Sequence, residues 1–141
     1  MSLLPPSQLL LQQALSDNTL LINPPMDDLA QEVPSSWHIA NFSFAVTEIF
    51  KQQDFTLEDI CKTPEKKFPH IIIYLPKAKP RLQYLLDYAC ACLETDGEIW
   101  FIGENKGGIK SLAKQLKNSF EISDKMTSGK HSAIVSVRRP L

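Results

Sequence analysis

No glycine stands before Gly97, and the five in the chain are Gly97, Gly103, Gly107, Gly108 and Gly129. Folds that cradle a nucleotide do so at the turn after the first strand, where glycines let backbone N–H groups approach the ligand. The first short apolar run is Thr19–Ile22, and the turn behind it reads Asn23-Pro24-Pro25-Met26-Asp27. Two prolines remove two N–H donors there. An acid that would take ribose hydroxyls near the end of a second strand is also missing; the next one is Glu48. Two independent requirements fail together, so no cofactor is expected at the usual place.

Cysteine is scarce as well. Cys90 and Cys92 are two apart in a helical stretch and point to different faces, while Cys61 stands alone without Cys-x-x-Cys or a nearby His. That excludes a disulfide framework and a zinc site, leaves plain packing, and fits a reducing cytoplasm. Long hydrophobic runs are absent too. Ile71–Leu75 is far short of a membrane span, and no basic segment followed by an apolar one opens the chain, which argues against secretion. What is present is 43% hydrophobic and 22% charged over 141 residues, the profile of one folded domain, 1–141.

A net charge of −1 hides a polarity: residues 1–61 carry one base, Lys51, against eight acids, and residues 62–141 carry fourteen bases against eight acids. Such asymmetry fits one face meeting an anion such as RNA, or two halves whose charges intermix in the fold.

Along the chain, Pro5-Pro6-Ser7 leads into a predicted helix over Gln8–Leu15, and Thr19–Ile22 is a strand ended by prolines. Asp27–Glu32 forms a short helix stopped by Pro34, Trp37–Phe44 reads as a strand, Ala45–Gln53 as a helix, and Phe55–Cys61 is ambiguous. Ile71–Tyr74 is a β-branched run of the kind buried on both faces. Leu82, Leu85, Leu86, Ala89 and Leu93 mark a helix, Glu98–Ile102 another strand, and Ile109, Leu112, Ala113, Leu116 and Phe120 a second amphipathic helix. Glu121–Met126, a turn at Thr127–Lys130 and His131–Arg138 look like a hairpin. Strands alternating with helices before a hairpin imply an α/β fold, a mostly parallel sheet with helices on both faces and an antiparallel end. Doubly wound nucleotide-binding folds and class I methyltransferases share this plan. Trp37, Tyr74 and Trp100 lie in predicted strands and read as core, and no histidine has a partner at catalytic spacing.

Two motifs need weighing. Asn23-Pro24-Pro25-Met26 is similar to the Asn-Pro-Pro-aromatic motif with which amino-methyltransferases grip a target nitrogen. There it follows the fourth strand and ends in Tyr or Phe; here it follows the first and ends in Met26, so a turn leading into a helix is the better account. Gly103 to Ser111 is similar to a phosphate-binding loop, but Ile109 intrudes and turns Lys110 about 100° away from the phosphate position. A small nucleotide-binding enzyme using 103–111 is therefore the weaker alternative.

Lys77, Lys79 and Arg81 cluster behind the fourth strand, and Lys106 and Lys110 follow the fifth. Loops at that edge present ligand contacts in this fold class, so the five are RNA-binding candidates on one basic rim. Lys114 and Lys117 either extend it or form a solvated helix face.

Two segments carry a resemblance: Tyr74-Leu75-Pro76-Lys77-Ala78-Lys79-Pro80 and Gly103-Glu104-Asn105-Lys106-Gly107-Gly108-Ile109-Lys110-Ser111. Both resemble the N-terminal domain of the ribosomal RNA small subunit methyltransferase C family, which has a Pro-Lys-x-Lys-Pro turn and a Gly-Glu-Asn turn at these places. The opening Pro6-Ser7-Gln8-Leu9-Leu10-Leu11 is similar to that family's start. The resemblance spans essentially the whole chain, specific over 71–116 and weak over 16–68. It implies a degenerate, Rossmann-like class I methyltransferase fold without cofactor or catalytic residue of its own. It further implies that a C-terminal catalytic domain, expected beyond Leu141, binds S-adenosylmethionine and methylates a guanine N2. The implied partners are small-subunit ribosomal RNA and that catalytic domain, with no membrane and no metal. A stand-alone protein-interaction module, docking through the acidic half, is the other alternative.

Overall fold

The structure, a computed structural model, describes residues 1–62, 64–117, 120–122 and 127–140; for residues 121, 122, 139 and 140 it describes the backbone alone. One sheet holds β1 (Thr19–Ile22), β2 (His38–Ala40), β3 (Thr56–Leu57), β4 (Phe68–Tyr74), β5 (Leu93–Glu104), β6 (Phe120–Ile122), β7 (Thr127–Gly129) and β8 (Ser132–Pro140). The order is β3-β2-β1-β4-β5-β8-β6, with β7 also paired to β8. Strands β1 to β5 run parallel, whereas β8 is antiparallel to β5, β6 and β7. The expected mostly parallel α/β sheet with an antiparallel end is what the chain forms.

Register explains the two cores. Leu20, Ile71, Ile99 and Val137 align across the sheet, as do Ile22, Ile73, Phe101 and Val135. These side chains point to one face, where α3 (Lys79–Ala91) brings Leu85 and Ala89 and α4 (Ile109–Leu116) brings Leu112 and Leu116. The residues between them, Leu21, Ile39, Ile72 and Ile102, point to the other face. There they meet Leu9 and Leu10 of α1 (Pro5–Leu10), Phe50 of α2 (Phe44–Gln52) and Trp37. Period-two alternation within apolar runs thus feeds both layers, as a sheet covered on both faces requires. No helix among the described residues is long and apolar enough to cross a membrane.

Several elements depart from their predicted bounds. Helix α1 starts at Pro5, because proline fits the first helical turn, where its missing N–H is not needed. Strand β2 stops at Ala40 rather than running to Phe44: Ser43 caps α2, its hydroxyl accepting the Val46 N–H at 3.3 Å. Strand β5 begins at Leu93, which pairs with Phe68 across an irregularity that leaves Glu98 opposite His70. Phe120 belongs to β6, not to the preceding helix, which ends at Leu116. Thr127–Gly129 is a strand, and the turn sits at Lys130-His131, both at positive φ (52° and 55°). Residues 123–126 of the predicted strand Glu121–Met126 lie outside the described residues.

Candidate RNA-binding edge

Parallel pairing brings the carboxyl ends of β1, β2, β4 and β5 to one edge, so the turns behind them are neighbours. The turn behind β1 is closed by its own polar groups. Asn23 adopts a left-handed backbone, φ 61°, which Asn tolerates better than most residues. Its N–H donates to the Ala40 carbonyl at 2.9 Å, adding a bond beyond the β1–β2 ladder. Its side-chain Nδ2 donates to the Tyr74 carbonyl at 2.9 Å, doing the same toward β4. Asn41, behind β2, donates from Nδ2 to the Pro24 carbonyl at 2.9 Å. Asp27 is buried, and its carboxylate accepts the N–H of Leu29 at 3.0 Å and of Leu4 at 3.1 Å, capping the 3₁₀ turn Asp28–Gln31 and fastening the N-terminal segment. The Asn23 and Asn41 amide groups and the Asp27 carboxylate thus join β1, β2, β4 and the chain start.

The turns behind β4 and β5 are open by contrast. Between them lies a cleft of about 350 Å³ whose lining includes Lys77, Lys79, Gly107, Gly108, Ser111 and Gln115. Gly108 holds φ 93° and caps α4, and a Cβ added at Gly107 or Gly108 would meet nothing within 4 Å. Gly103 is different: an added Cβ would stand 3.2 Å from Leu75 Cβ, so this glycine lets β5 and the β4 turn approach. Asn105–Gly107 forms a 3₁₀ turn, and Lys110 is exposed in the first turn of α4.

The five candidate cations therefore separate. Lys77 and Lys79 share the cleft. Lys106 faces another hollow, of about 430 Å³, with Pro5, Glu104, Asn105 and His131, and its Nζ lies 3.9 Å from a Glu104 carboxylate oxygen. The Arg81 guanidinium lies over the Phe42 ring, 4.7 Å from its centroid. The common rim is a row of distinct stations along one edge. Sequence reasoning met Asn23 and Ser111 only within motifs and missed Asn41, Phe42 and the cleft residue Gln115; the asparagines at the ends of β1 and β2 were the available signal.

The aromatic residues read as core take structural bonds. Trp37 is fully buried and donates from Nε1 to the Ser16 carbonyl at 2.7 Å, and the Tyr74 hydroxyl meets Ser7 Oγ at 2.7 Å. Burial raises the Tyr74 pKa above its ordinary value. Trp100, half-buried, donates to Glu98 and packs edge-on against His70.

A profile of the family described as "Methyltransferase small domain N-terminal" matches residues 7–139. "Ribosomal RNA small subunit methyltransferase C" of Acinetobacter baylyi is 34% identical over 122 residues, covering 85% of this chain and 36% of that protein. The protein of that name from Shewanella oneidensis is 43% identical over 70 residues, 50% of this chain and 20% of that protein. The chain thus spans little more than a third of such relatives. Among solved structures, a 16S rRNA N2 methyltransferase of T. thermophilus in complex with AdoMet and guanosine matches with a TM-score of 0.72 at 14% identity, covering 96% of this chain and 38% of that one. The N-methyltransferase NodS of Bradyrhizobium japonicum, with S-adenosyl-L-homocysteine, matches with a TM-score of 0.69 at 12% identity, over 96% and 85% of the two chains. At these identities the likeness is one of fold, and the fold is Rossmann-like and shared with methyltransferases.

Proposed function

Since the chain belongs to the methyltransferase small-domain N-terminal family, we propose that it is the accessory, non-catalytic domain of an S-adenosylmethionine-dependent rRNA (guanine-N2) methyltransferase. In this role it binds no cofactor itself. It supports the small-subunit ribosomal RNA substrate and its own C-terminal catalytic domain, which carries S-adenosylmethionine and the chemistry, in the cytoplasm.

The observation that supports the reading is the contrast along one sheet edge. The turn behind β1, where this fold class places a nucleotide, is tied up by Asn23, Asn41 and Asp27, while the neighbouring cleft presents Lys77 and Lys79 to solvent. Each lysine meeting a phosphate releases counterions, giving salt-sensitive affinity that is indifferent to sequence. The test uses a full-length methyltransferase that carries this domain. Replacing Lys77, Lys79, Arg81, Lys106 and Lys110 with Ala is expected to weaken RNA binding and to flatten its salt dependence by about 0.7 to 0.9 in slope for every phosphate no longer neutralised. Affinity for S-adenosylmethionine, measured by calorimetry, stays unchanged. Unaltered RNA affinity and slope would reject RNA contact and leave a docking role beside the catalytic domain.

A further inference from the structure

One exposed stack lies outside the lysine cleft. Phe42 follows the end of β2, and Arg81, in the first turn of α3, lays its guanidinium over the ring. Tyr84, further along α3, leans on the same ring with centroids 5.6 Å apart and planes tilted by 52°. Its hydroxyl donates to the Ile60 carbonyl, which fixes it in place. Phe42 and Tyr84 are nevertheless 40% and 41% exposed, and Phe44, two residues on, is 78% exposed. Among the described residues, Lys77, Lys79 and Arg81 take part in no ion pair. Arg81 and Tyr84, three residues apart on α3, thus both pack against the exposed Phe42 ring, with two further unpaired cations within four residues of Arg81 in the chain.

We propose that this exposed cluster is a stacking platform for an unpaired RNA base. The base stacks on the surface that Phe42, Tyr84 and Arg81 leave exposed, while the flanking phosphates reach Lys77 and Lys79. Guanidinium planes and aromatic rings stack on any base, because every base has a π-face, but a duplex hides those faces. The platform therefore selects single-stranded segments. Charge decides against an apolar protein partner: such a surface would desolvate three cations without supplying a carboxylate, whereas a phosphodiester chain supplies an anion at each step. The proposal rests on the RNA reading above and adds to it the state of the RNA and a stacking role for Arg81.

The two separate in one experiment. Short single-stranded and fully paired duplex RNAs carrying 2-aminopurine are titrated into the chain and into Phe42→Leu, Arg81→Lys and Lys77→Ala/Lys79→Ala variants, with circular dichroism confirming the fold of each. Phe42→Leu keeps an apolar contact and Arg81→Lys keeps the charge, so neither should change the salt slope. Each is expected to weaken single-strand binding about tenfold and to abolish the fluorescence change of stacking, while duplex binding holds. The double-lysine variant instead flattens the salt slope. Parental affinity and fluorescence in Phe42→Leu and Arg81→Lys, alongside a weakened lysine variant, would overturn the platform and leave the RNA reading standing. No RNA binding by the parent chain would overturn both.

Discussion

Asn23 should be the most informative position in the turn behind β1. Replacing it with Ala removes the donor to the Tyr74 carbonyl and leaves a residue with a Cβ at φ 61°. A buried carbonyl losing its partner costs about 1–3 kcal/mol, and a left-handed backbone costs an ordinary residue about 1–2 kcal/mol. Asn23→Ala should therefore destabilise by about 2–5 kcal/mol. Asn23→Gly loses the same bond but adopts positive φ freely, so it should cost about 1 kcal/mol less. Unfolding entropy of about 2.1 cal/mol/K per residue makes each kcal/mol worth about 3 °C in Tm for 141 residues. The Ala variant should melt about 7–17 °C below the parent, and the Gly variant about 3 °C above the Ala variant. Thermal melts followed by far-ultraviolet circular dichroism resolve both steps. If Ala and Gly melt together within a degree or so of the parent, the side-chain bond holds nothing and the turn is free to receive a ligand.

His70 is buried against Trp100 with Glu98 nearby and the Ser16 and Thr19 hydroxyls at Nδ1, and burial lowers its pKa below 6.5 although Glu98 opposes the shift. Its neutral form is the folded form, so its stabilisation is full above pH 6.5 and is lost as pH falls, at up to about 1.4 kcal/mol per pH unit, until the folded pKa is passed. Urea titrations across that range should show this slope, and His70→Gln should lack that part of it; identical slopes would contradict the assignment. At Gly97 an added Cβ would stand 2.5 Å from Leu93 Cδ1 and 2.9 Å from the Glu94 carbonyl oxygen, which is backbone. Gly97→Ala should accordingly lose about 1–3 kcal/mol in chemical denaturation, and an unchanged midpoint would count against the packing described. Lys130→Asn with His131→Gly places the residues a two-residue turn favours where both φ are positive, so Tm should rise by about 3 °C. A lower Tm would show that these side chains hold the turn.

The central sheet was legible because Leu20–Ile22 of β1 and Ile71–Tyr74 of β4 are unbroken apolar runs whose alternate residues serve two faces. The start of β5 was not, since Glu94, Thr95 and Asp96 resemble a loop, and only Phe68 across the sheet recruits Leu93. Thr127-Ser128-Gly129 has turn composition, yet the reversal falls on Lys130 and His131, whose identities give no hint of positive φ. Phe120 fits helical spacing from Leu116, but its pairing with Pro140 puts it in β6, a long-range fact that spacing cannot contain. At the edge, glycine and proline usage alone foretold an unusual first turn. The bonds that close it join Asn23 to Tyr74 and Asn41 to Pro24, residues far apart in sequence. That Arg81 lies over Phe42 could not be read locally, because Phe42 stands nearly forty positions earlier.

Helix α1 packs on β8 and β5, and an added Cβ on Gly129 would stand 3.2 Å from Leu9 Cδ1. This domain's first helix thus has its seat among the domain's own final strands. At about 5–20 residues per second, roughly 6–25 s of synthesis separates Leu10 from Ser132 and the rest of β8. Through that interval Leu9 and Leu10 have no native partner there, and β5 lacks its antiparallel neighbour. Such late closure slows folding and leaves an open sheet border exposed to other nascent chains. Holding factors that bind extended apolar segments would therefore have their greatest effect on this domain while β8 is still being made.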